Sequence, residues 1–178
     1  MIDRWILGGR GSTWDVITVA GALTQSLASI GVVLDLESGR PLPVAVRELT
    51  TLDHLSKSEL VVLIEIDPSS TPSRIEEAVQ VLRAMWTNEV TTLLGEHWNL
   101  DEAPNRPQPL HCETLRLLLV VSEANADLKQ LATDLQVELI EAGSSPEDER
   151  ERWIWMDDRA IAELLAEQER FVGGRSTS

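Results

Sequence analysis

Two nearly unbroken apolar runs constrain the fold of this chain more than any other feature. Residues 60–66 read LVVLIEI and residues 115–121 read LRLLLVV. Strands with so few polar residues are typical of a sheet that is covered on both faces. Segments with helical periodicity follow them, beginning near Thr71 and near Asn125. The alternation predicts an α/β fold with a mixed, largely covered central sheet and helices on both faces.

The remaining elements are predicted from the same two periodicities. We expect residues 44–49 to return as the hairpin partner of the strand at 30–36, which makes the sheet mixed. Residues 88–97 are interpreted as a continuation of the preceding helix, and 99–112 as a proline-containing loop. The other predicted elements are strands at 4–7, 137–140 and 153–156, and helices at 14–29, 71–86, 126–135 and 158–171.

Three segments are expected along the chain. Residues 1–142 form an α/β core domain, and residues 143–172 supply a linker, an edge strand and a helix that packs on that core. Residues 173–178, rich in glycine and serine, are expected to be a disordered tail.

The charge of the chain limits its partners. Thirty acidic residues face fifteen basic ones, and the net charge is −15. We therefore expect no direct binding to nucleic acid or to membranes, and a basic surface on any protein partner. No apolar run reaches 18 residues, and the single Cys112 fits a reducing cytoplasm. The oligomeric state is left open.

A glycine-rich loop lies between the first predicted strand and the first predicted helix. In this loop, residues 8–13, backbone N–H groups and a helix N-terminus could hold a phosphate or a nucleotide. The loop lacks the lysine of a P-loop and the spacing of a dinucleotide fingerprint. A tight turn before a capped helix is the alternative. The candidate ligand-binding residues are Gly9, Arg10, Gly11, Ser12 and Thr13.

Acidic residues follow two of the predicted strands. Asp35 ends one strand, Glu65 and Asp67 end the next, and Gln80 lies in the helix that follows. This order resembles the PD-(D/E)xK nuclease core and would cover residues 14–142. The resemblance implies a restriction-endonuclease-like fold in which Asp35 and Glu65 bind Mg²⁺ or Mn²⁺ beside a lysine that activates water. Here Asp67 occupies the position of that lysine. The alternative makes these acids ordinary turn residues.

Histidine and cysteine do not form a recognisable metal motif. His54, His97 and His111 are far apart in sequence, and His111 and Cys112 are adjacent. Zinc sites need ligand pairs two to four residues apart, which this chain lacks. Cys112 is therefore interpreted as an inert residue rather than a nucleophile.

An aromatic and acidic cluster precedes the last helix. Trp153 and Trp155 share one face of a strand, and Asp157 and Asp158 follow them. If that face is exposed, the four residues form a docking site for a protein. The alternative buries both tryptophans under the last helix.

No complete catalytic constellation is found in the sequence. The sequence therefore favours a non-catalytic protein-interaction module, acting as a subunit, adaptor or inhibitor and needing no cofactor. The first alternative is a divergent metal-dependent nuclease that uses Asp35 and Glu65. The second alternative is a nucleotide or phosphate binder that uses the loop at 8–13.

Overall fold

The computed structural model describes residues 2–8, 12, 15–24, 27, 29–56, 60–111, 116–144 and 151–173. These residues form eight strands and five helices. In chain order they are β1 (Ile2–Leu7), α1 (Val16–Leu23), β2 (Ile30–Asp35), α2 (Leu42–Leu55), β3 (Val61–Glu65), α3 (Pro72–Thr87), β4 (Val90–Leu94), β5 (Asn99–Pro104), β6 (Arg116–Val121), α4 (Ala126–Asp134), β7 (Glu138–Glu141), β8 (Glu151–Met156) and α5 (Asp158–Gly173).

The main sheet has six strands in the order β7-β6-β3-β2-β1-β8, and each neighbouring pair is parallel. The α/β class is confirmed, but the prediction of a mixed sheet is wrong. The expected hairpin strand at 44–49 lies inside helix α2. Apolar residues at 42, 45, 46, 49 and 52 are buried with helical period, and Pro41 begins the helix as its N-cap.

The two faces of this sheet have different neighbours. Strand residues on the face that points toward the helices pack with residues of all five helices in one large core cluster. Strand residues on the opposite face form a second cluster, and all the described members of this cluster lie in strands. They are Ile6, Val33, Val61, Leu63, Leu118, Val120, Ile140 and Trp153, with Trp155 packed against them. Helices therefore cover one face, and the expectation of helices on both faces is wrong. The sheet curls around its own side chains, as an incomplete parallel barrel that is open between β7 and β8.

Tight packing inside the curled sheet depends on Gly31 in β2. A Cβ at this position would lie 2.5 Å from Cδ1 of Ile6 and 3.2 Å from Cδ1 of Leu63. A side chain at position 31 would therefore displace its neighbours on β1 and β3.

A two-stranded antiparallel hairpin, β4–β5, lies outside the main sheet. It replaces the helical continuation expected at 88–97 and much of the loop expected at 99–112, and both predictions are wrong. The pair is largely exposed, but Leu100 and Thr91 are buried. Buried Asn105 anchors its far end, since its amide donates to the Met85 carbonyl at 2.6 Å.

Helix starts follow the expected capping chemistry. Thr71 caps α3 and Asn125 caps α4, each accepting a hydrogen bond from the backbone N–H three residues later. Helix α1 is shorter than the predicted 14–29, and Asp15 is its N-cap. Thr13, the cap expected for it, lies outside the described residues.

The C-terminal segment closes one side of the sheet. Strand β8 lies at the end of the strand order and pairs along its whole length with β1. The middle of the predicted linker, 145–150, and the tail at 174–178 lie outside the described residues. Within the described part of the chain, no helix combines the length and apolarity needed to cross a membrane.

Candidate functional site

A cleft of about 240 Å³ lies where β2 ends, between α1, α2 and the turn of the β4–β5 hairpin. Parallel α/β proteins bind their ligands at the carboxyl ends of the strands, because the loops there differ while the sheet below stays rigid. We therefore take this cleft as the candidate site. It is lined by Ser12, Asp15, Val16, Ile17, Val33, Leu34, Asp35, Leu36, Ser38, Arg40, Leu42, Ala45 and Trp98.

The guanidinium of Arg40 is held between two carboxylates. Its Nη2 donates to Asp15 Oδ2 at 2.7 Å, and its Nη1 donates to Glu48 Oε2 at 2.8 Å. Burial by itself would raise the pKa of Asp15, but hydrogen bonds from Arg40 and Thr18 outweigh it and lower that pKa. The hydrogen bond to Asp15 likewise raises the pKa of Arg40 against the effect of burial. These hydrogen bonds connect the start of α1 to α2 through Arg40.

Among the described residues, only one oxygen of the Asp35 carboxylate has a hydrogen-bond partner. Its Oδ1 accepts a hydrogen bond from the backbone N–H of Glu37 at 2.8 Å, which forms the turn after β2. Ser38 completes this turn by donating its hydroxyl to the Asp35 carbonyl at 2.8 Å. Among the described residues, the other oxygen, Oδ2, has no hydrogen-bond partner. Asp35 therefore combines a turn role with an available acceptor in the cleft lining.

Trp98 enters the cleft from the hairpin because a buried glutamate holds its turn. Glu77 of α3 is 7% exposed, and its carboxylate accepts hydrogen bonds from the backbone N–H groups of His97 at 2.9 Å and Trp98 at 2.7 Å. Burial opposes ionisation of Glu77, but these bonds and one from the Glu96 backbone lower its pKa. A Cβ at Gly95 would overlap the carboxylate, so this position requires glycine.

The outer side of Trp98 is supported by Arg74. The Arg74 guanidinium carbon lies 5.2 Å from the centre of the indole ring, within range of a cation–π contact. Arg74 is held in turn by Glu37, with Nε 3.1 Å from Oε1, and by the Leu36 carbonyl at 3.2 Å. The wall of the cleft is therefore connected to the turn after β2.

The acids singled out in the sequence are only partly brought together. Asp35 and Glu65 are register partners on β2 and β3. Asp67 belongs to a separate turn, where its Oδ1 accepts from the Ser69 backbone N–H at 2.7 Å, and Gln80 is exposed on α3. No three His, Cys, Asp or Glu side chains among the described residues could hold a metal ion together.

The glycine-rich loop is described at two positions. Gly8 has a φ of 98°, and a Cβ there would lie 2.7 Å from Cγ1 of Val16, so glycine allows α1 to approach the end of β1. Ser12 lines the cleft and donates its hydroxyl to Asp158 Oδ1 at 2.8 Å. The other predicted ligand-binding residues, Gly9, Arg10, Gly11 and Thr13, lie outside the described residues.

The predicted aromatic docking site is not an exposed patch. Trp153 is 5% exposed inside the curled sheet, with its ring centre 6.3 Å from that of Trp155. Trp155 is half-buried and donates its indole N–H to the Ser144 carbonyl at 2.6 Å, which connects β8 to the end of β7. Asp157 caps α5 by accepting from the backbone N–H of Ala160. Both tryptophans point into the curled sheet, away from the helices, and this orientation explains their burial.

A second polar centre lies away from the cleft, before β6. The fully buried Asp53 accepts hydrogen bonds from the backbone N–H groups of Leu110 and His111, at 2.6 and 3.2 Å. Its other oxygen lies 2.6 Å from Nδ1 of His111. His54 contacts the Gln108 carbonyl at 2.8 Å. This arrangement holds the loop at 105–111 against α2; Cys112 lies outside the described residues.

Sequence reasoning missed most of the cleft. It selected Asp35 and Ser12, but not Arg40, Ser38 or Trp98. All three lie in turns, and Arg40 and Trp98 are placed by contacts with distant helices. The one available signal was the turn Glu37-Ser38-Gly39-Arg40-Pro41 directly after a buried strand, where parallel sheets place their ligand sites.

Comparison with known proteins gives a fold likeness without a sequence family. No protein-family model matches the chain, and no curated protein matches it. The monooxygenase RslO1 from Streptomyces bottropensis is similar in structure, with a TM-score of 0.60 and 15% identity over 76% of this chain and 46% of the monooxygenase. The coenzyme F420 dependent tetrahydromethanopterin reductase from Methanopyrus kandleri is also similar, with a TM-score of 0.60 and 9% identity over 79% of this chain and 56% of the reductase. The chain spans about half the length of these two proteins.

These likenesses correct three predictions. The resemblance to the PD-(D/E)xK nucleases, and the restriction-endonuclease-like fold with it, is wrong, because the parallel curled sheet matches a monooxygenase and a reductase instead. The nuclease alternative is overturned with it. The non-catalytic interaction module, and the leaning against an enzyme, are overturned because both similar structures are oxidoreductases. The basic protein partner and the lack of cofactor stay predictions.

Proposed function

We propose that this chain is an enzyme of the oxidoreductase class that binds a small substrate in the cleft at the end of β2. The observation that carries the proposal is the position of the cleft. It lies at the carboxyl edge of a parallel sheet, the edge at which barrel enzymes bind and convert their substrates. The fold shared with a monooxygenase and an F420-dependent reductase supports the choice of reaction class. A cytoplasmic location remains part of this proposal.

The described cleft residues do not fit a phosphate-bearing cofactor such as coenzyme F420, which the reductase uses. Such a cofactor needs cations for its phosphate, and the charge of Arg40, the one cation among the described lining residues, is already balanced by Asp15 and Glu48. The volume of about 240 Å³ is also below the roughly 300–1,000 Å³ of pockets for drug-sized ligands. We therefore assign the cleft to substrate and derive no step through the cofactor.

The side chains of the cleft would bind and orient such a substrate. The free oxygen of Asp35 can accept a hydrogen bond from the substrate or hold a proton during its oxidation or reduction. Trp98 and the aliphatic lining exclude water from the apolar part of the substrate. The ion pairs of Arg40 fix the width of the site, so little reorganisation is needed when substrate binds.

An obstructed variant tests the proposal. Ser38 is exposed at the cleft, so Ser38→Trp places an indole in the site without disturbing the core. Ser69→Trp is the matched control, because Ser69 is exposed in the equivalent turn after β3 and does not line the cleft. Reduced F420, NADH and NADPH are each offered as electron donors, and a single-ring quinone small enough for the cleft takes the place of the substrate as acceptor. The rate of donor oxidation is measured by absorbance.

We expect the protein to accelerate oxidation of at least one donor. Ser38→Trp should lower that rate about ten-fold or more, and Ser69→Trp should stay within about two-fold of the parent. Failure to oxidise any of the three donors would overturn the proposed reaction class. Equal rates in both tryptophan variants would overturn the assignment to this cleft.

A further inference from the structure

We infer that the cleft at the end of β2 selects an organic cation, namely a protonated amine or cationic nitrogen heterocycle on a small apolar body. The inference rests on the proposed function, because it names the substrate class for the same cleft. It is argued from the charges, free hydrogen-bonding atoms and ring surfaces that line the site.

The lining has an excess of negative charge. Among the described residues of the lining, the ionisable ones are Asp15, Asp35 and Arg40, and Arg40 is further neutralised by Glu48 from outside the lining. Both terminal nitrogens of Arg40 are bonded to carboxylates at under 3 Å. The charge of Arg40 is therefore already balanced, so an anionic ligand would compete with two bound carboxylates for it and would also be repelled by the carboxylate of Asp35.

Among the described residues of the cleft, the charged atom that has no hydrogen-bond partner is a carboxylate oxygen, Oδ2 of Asp35, which can only accept a hydrogen bond. Asp15 already accepts three hydrogen bonds, from Arg40, from the Thr18 hydroxyl at 3.0 Å and from the Thr18 backbone N–H. Asp35 uses only Oδ1 within the described structure. A ligand that reaches Oδ2 must therefore donate a hydrogen bond, and a cationic donor forms the stronger, charge-assisted bond.

The ring of Trp98 favours the same class of ligand. Indole has the most favourable aromatic face for a cation, and Trp98 already attracts one guanidinium, that of Arg74, outside the lining. The backbone bonds to Glu77 fix Trp98 before a ligand arrives. Aliphatic residues of α1 and α2 line the rest of the cleft, so the ligand needs an apolar body as well as a charge.

The size of the cleft limits that body. A volume of about 240 Å³ lies below the roughly 300–1,000 Å³ of pockets that hold drug-sized ligands. This is room for a single ring or a short branched chain with one charged nitrogen. Benzylammonium meets these requirements and has isosteric relatives of different charge.

The test measures the affinity of the full chain for three probes of one shape: benzylammonium, benzyl alcohol and benzoate. Isothermal titration at neutral pH and low salt gives each dissociation constant. We expect benzylammonium to bind about ten-fold or more tightly than benzyl alcohol, and benzoate to bind more weakly than the alcohol. Equal affinities, tightest binding of benzoate, or no binding of any probe at millimolar concentration would overturn the inference.

A matched pair of variants assigns the preference to one residue. Asp35→Asn keeps an oxygen for the backbone N–H of Glu37, so the turn is retained while the charge is lost. Asp67→Asn makes the same change in the turn after β3, outside the cleft. We expect Asp35→Asn to lose most of the cation preference and Asp67→Asn to keep it. Circular dichroism of each variant verifies that it is folded, and a preserved preference in folded Asp35→Asn would overturn the role of Asp35.

Trp98→Leu supplies a second variant that does not depend on the carboxylate. We expect it to weaken benzylammonium binding about three- to ten-fold while changing benzyl alcohol less. In this design, the test of cation binding and the test of turnover can give negative results independently of each other. Cation selectivity without oxidation of any donor sinks the reaction class alone, whereas turnover with no cation preference sinks this inference alone.

Discussion

Replacing Glu77 by glutamine should loosen the turn that carries Trp98 into the cleft. The buried carboxylate accepts hydrogen bonds from the backbone N–H groups of His97 at 2.9 Å and Trp98 at 2.7 Å, one on each oxygen, and glutamine keeps an oxygen for only one of them. The other N–H would then face an amide NH₂ group. Loss of one charge-assisted bond, with a donor left unsatisfied, costs about 2–3 kcal/mol. In a domain of this size that corresponds to a fall in Tm of about 5–10 °C.

Urea denaturation followed by tryptophan fluorescence measures this cost, and Glu76→Gln is the matched control. Glu76 is the preceding residue of the same helix, is exposed and has no hydrogen bond in the described structure. Its substitution should change the free energy of unfolding by less than about 0.5 kcal/mol. Equal stabilities of the two variants would refute the role of Glu77. The affinity for benzylammonium should fall in Glu77→Gln alone, because Trp98 is no longer held.

The pH dependence of the stability difference between the parent and Glu77→Gln gives an independent test. The pKa of Glu77 is lowered from its ordinary value of 4.5, so the unfolded chain takes up a proton at a higher pH than the folded chain. Its contribution is therefore complete above pH 4.5 and is lost as the pH falls through the folded-state pKa. The stability gap between the parent and Glu77→Gln should be constant near neutral pH and should narrow below about pH 4. A difference in stability that grows on acidification would contradict a lowered pKa of Glu77.

Three further substitutions test other parts of the fold by the same denaturation measurement. Asp53→Ala removes the acceptor for two backbone amides and the His111 ring, and should cost about 3 kcal/mol, whereas a loss below about 1 kcal/mol would show that water replaces it. Gly31→Ala forces a Cβ against Ile6 and should cost about 1–3 kcal/mol, and unchanged stability would mean that the interior repacks freely. Thr71→Ala removes the N-cap of α3 and should cost about 1 kcal/mol, with recovery expected in Thr71→Ser and no recovery counting against the cap.

The sequence predicted elements well where burial is continuous. The apolar runs at 60–66 and 115–121 contain strands β3 and β6, which pair with each other, because strands with so few polar residues are stable where the sheet is covered on both faces. The segment 44–49 was misread as a strand because Val44 and Val46 are β-branched residues in alternate positions. Its burial has helical period all the same, and α2 packs along α1 and α3. Tertiary packing decided the structure there against local preference.

The candidate site was less accessible to sequence reasoning, for a physical reason. Asp35 could be found because it ends a buried strand. Trp98 reaches the cleft only through a bond to Glu77, which lies 21 residues earlier and has the sequence context of an exposed helical acid. Arg40 bonds to Asp15, 25 residues away on another helix. Such contacts depend on the curl of the sheet, which no local pattern encodes.

The pairing of β1 with β8 has a consequence for how this protein is made. Asp3 and Arg152 are hydrogen-bonded across a separation of 149 residues, so β1 leaves the ribosome long before β8, which is one of its two neighbours in the sheet. Until then its outer edge offers unpaired amides and carbonyls to any other nascent chain. A circularly permuted gene that encodes β8 directly before β1 would shorten that delay, and its product should aggregate less during translation.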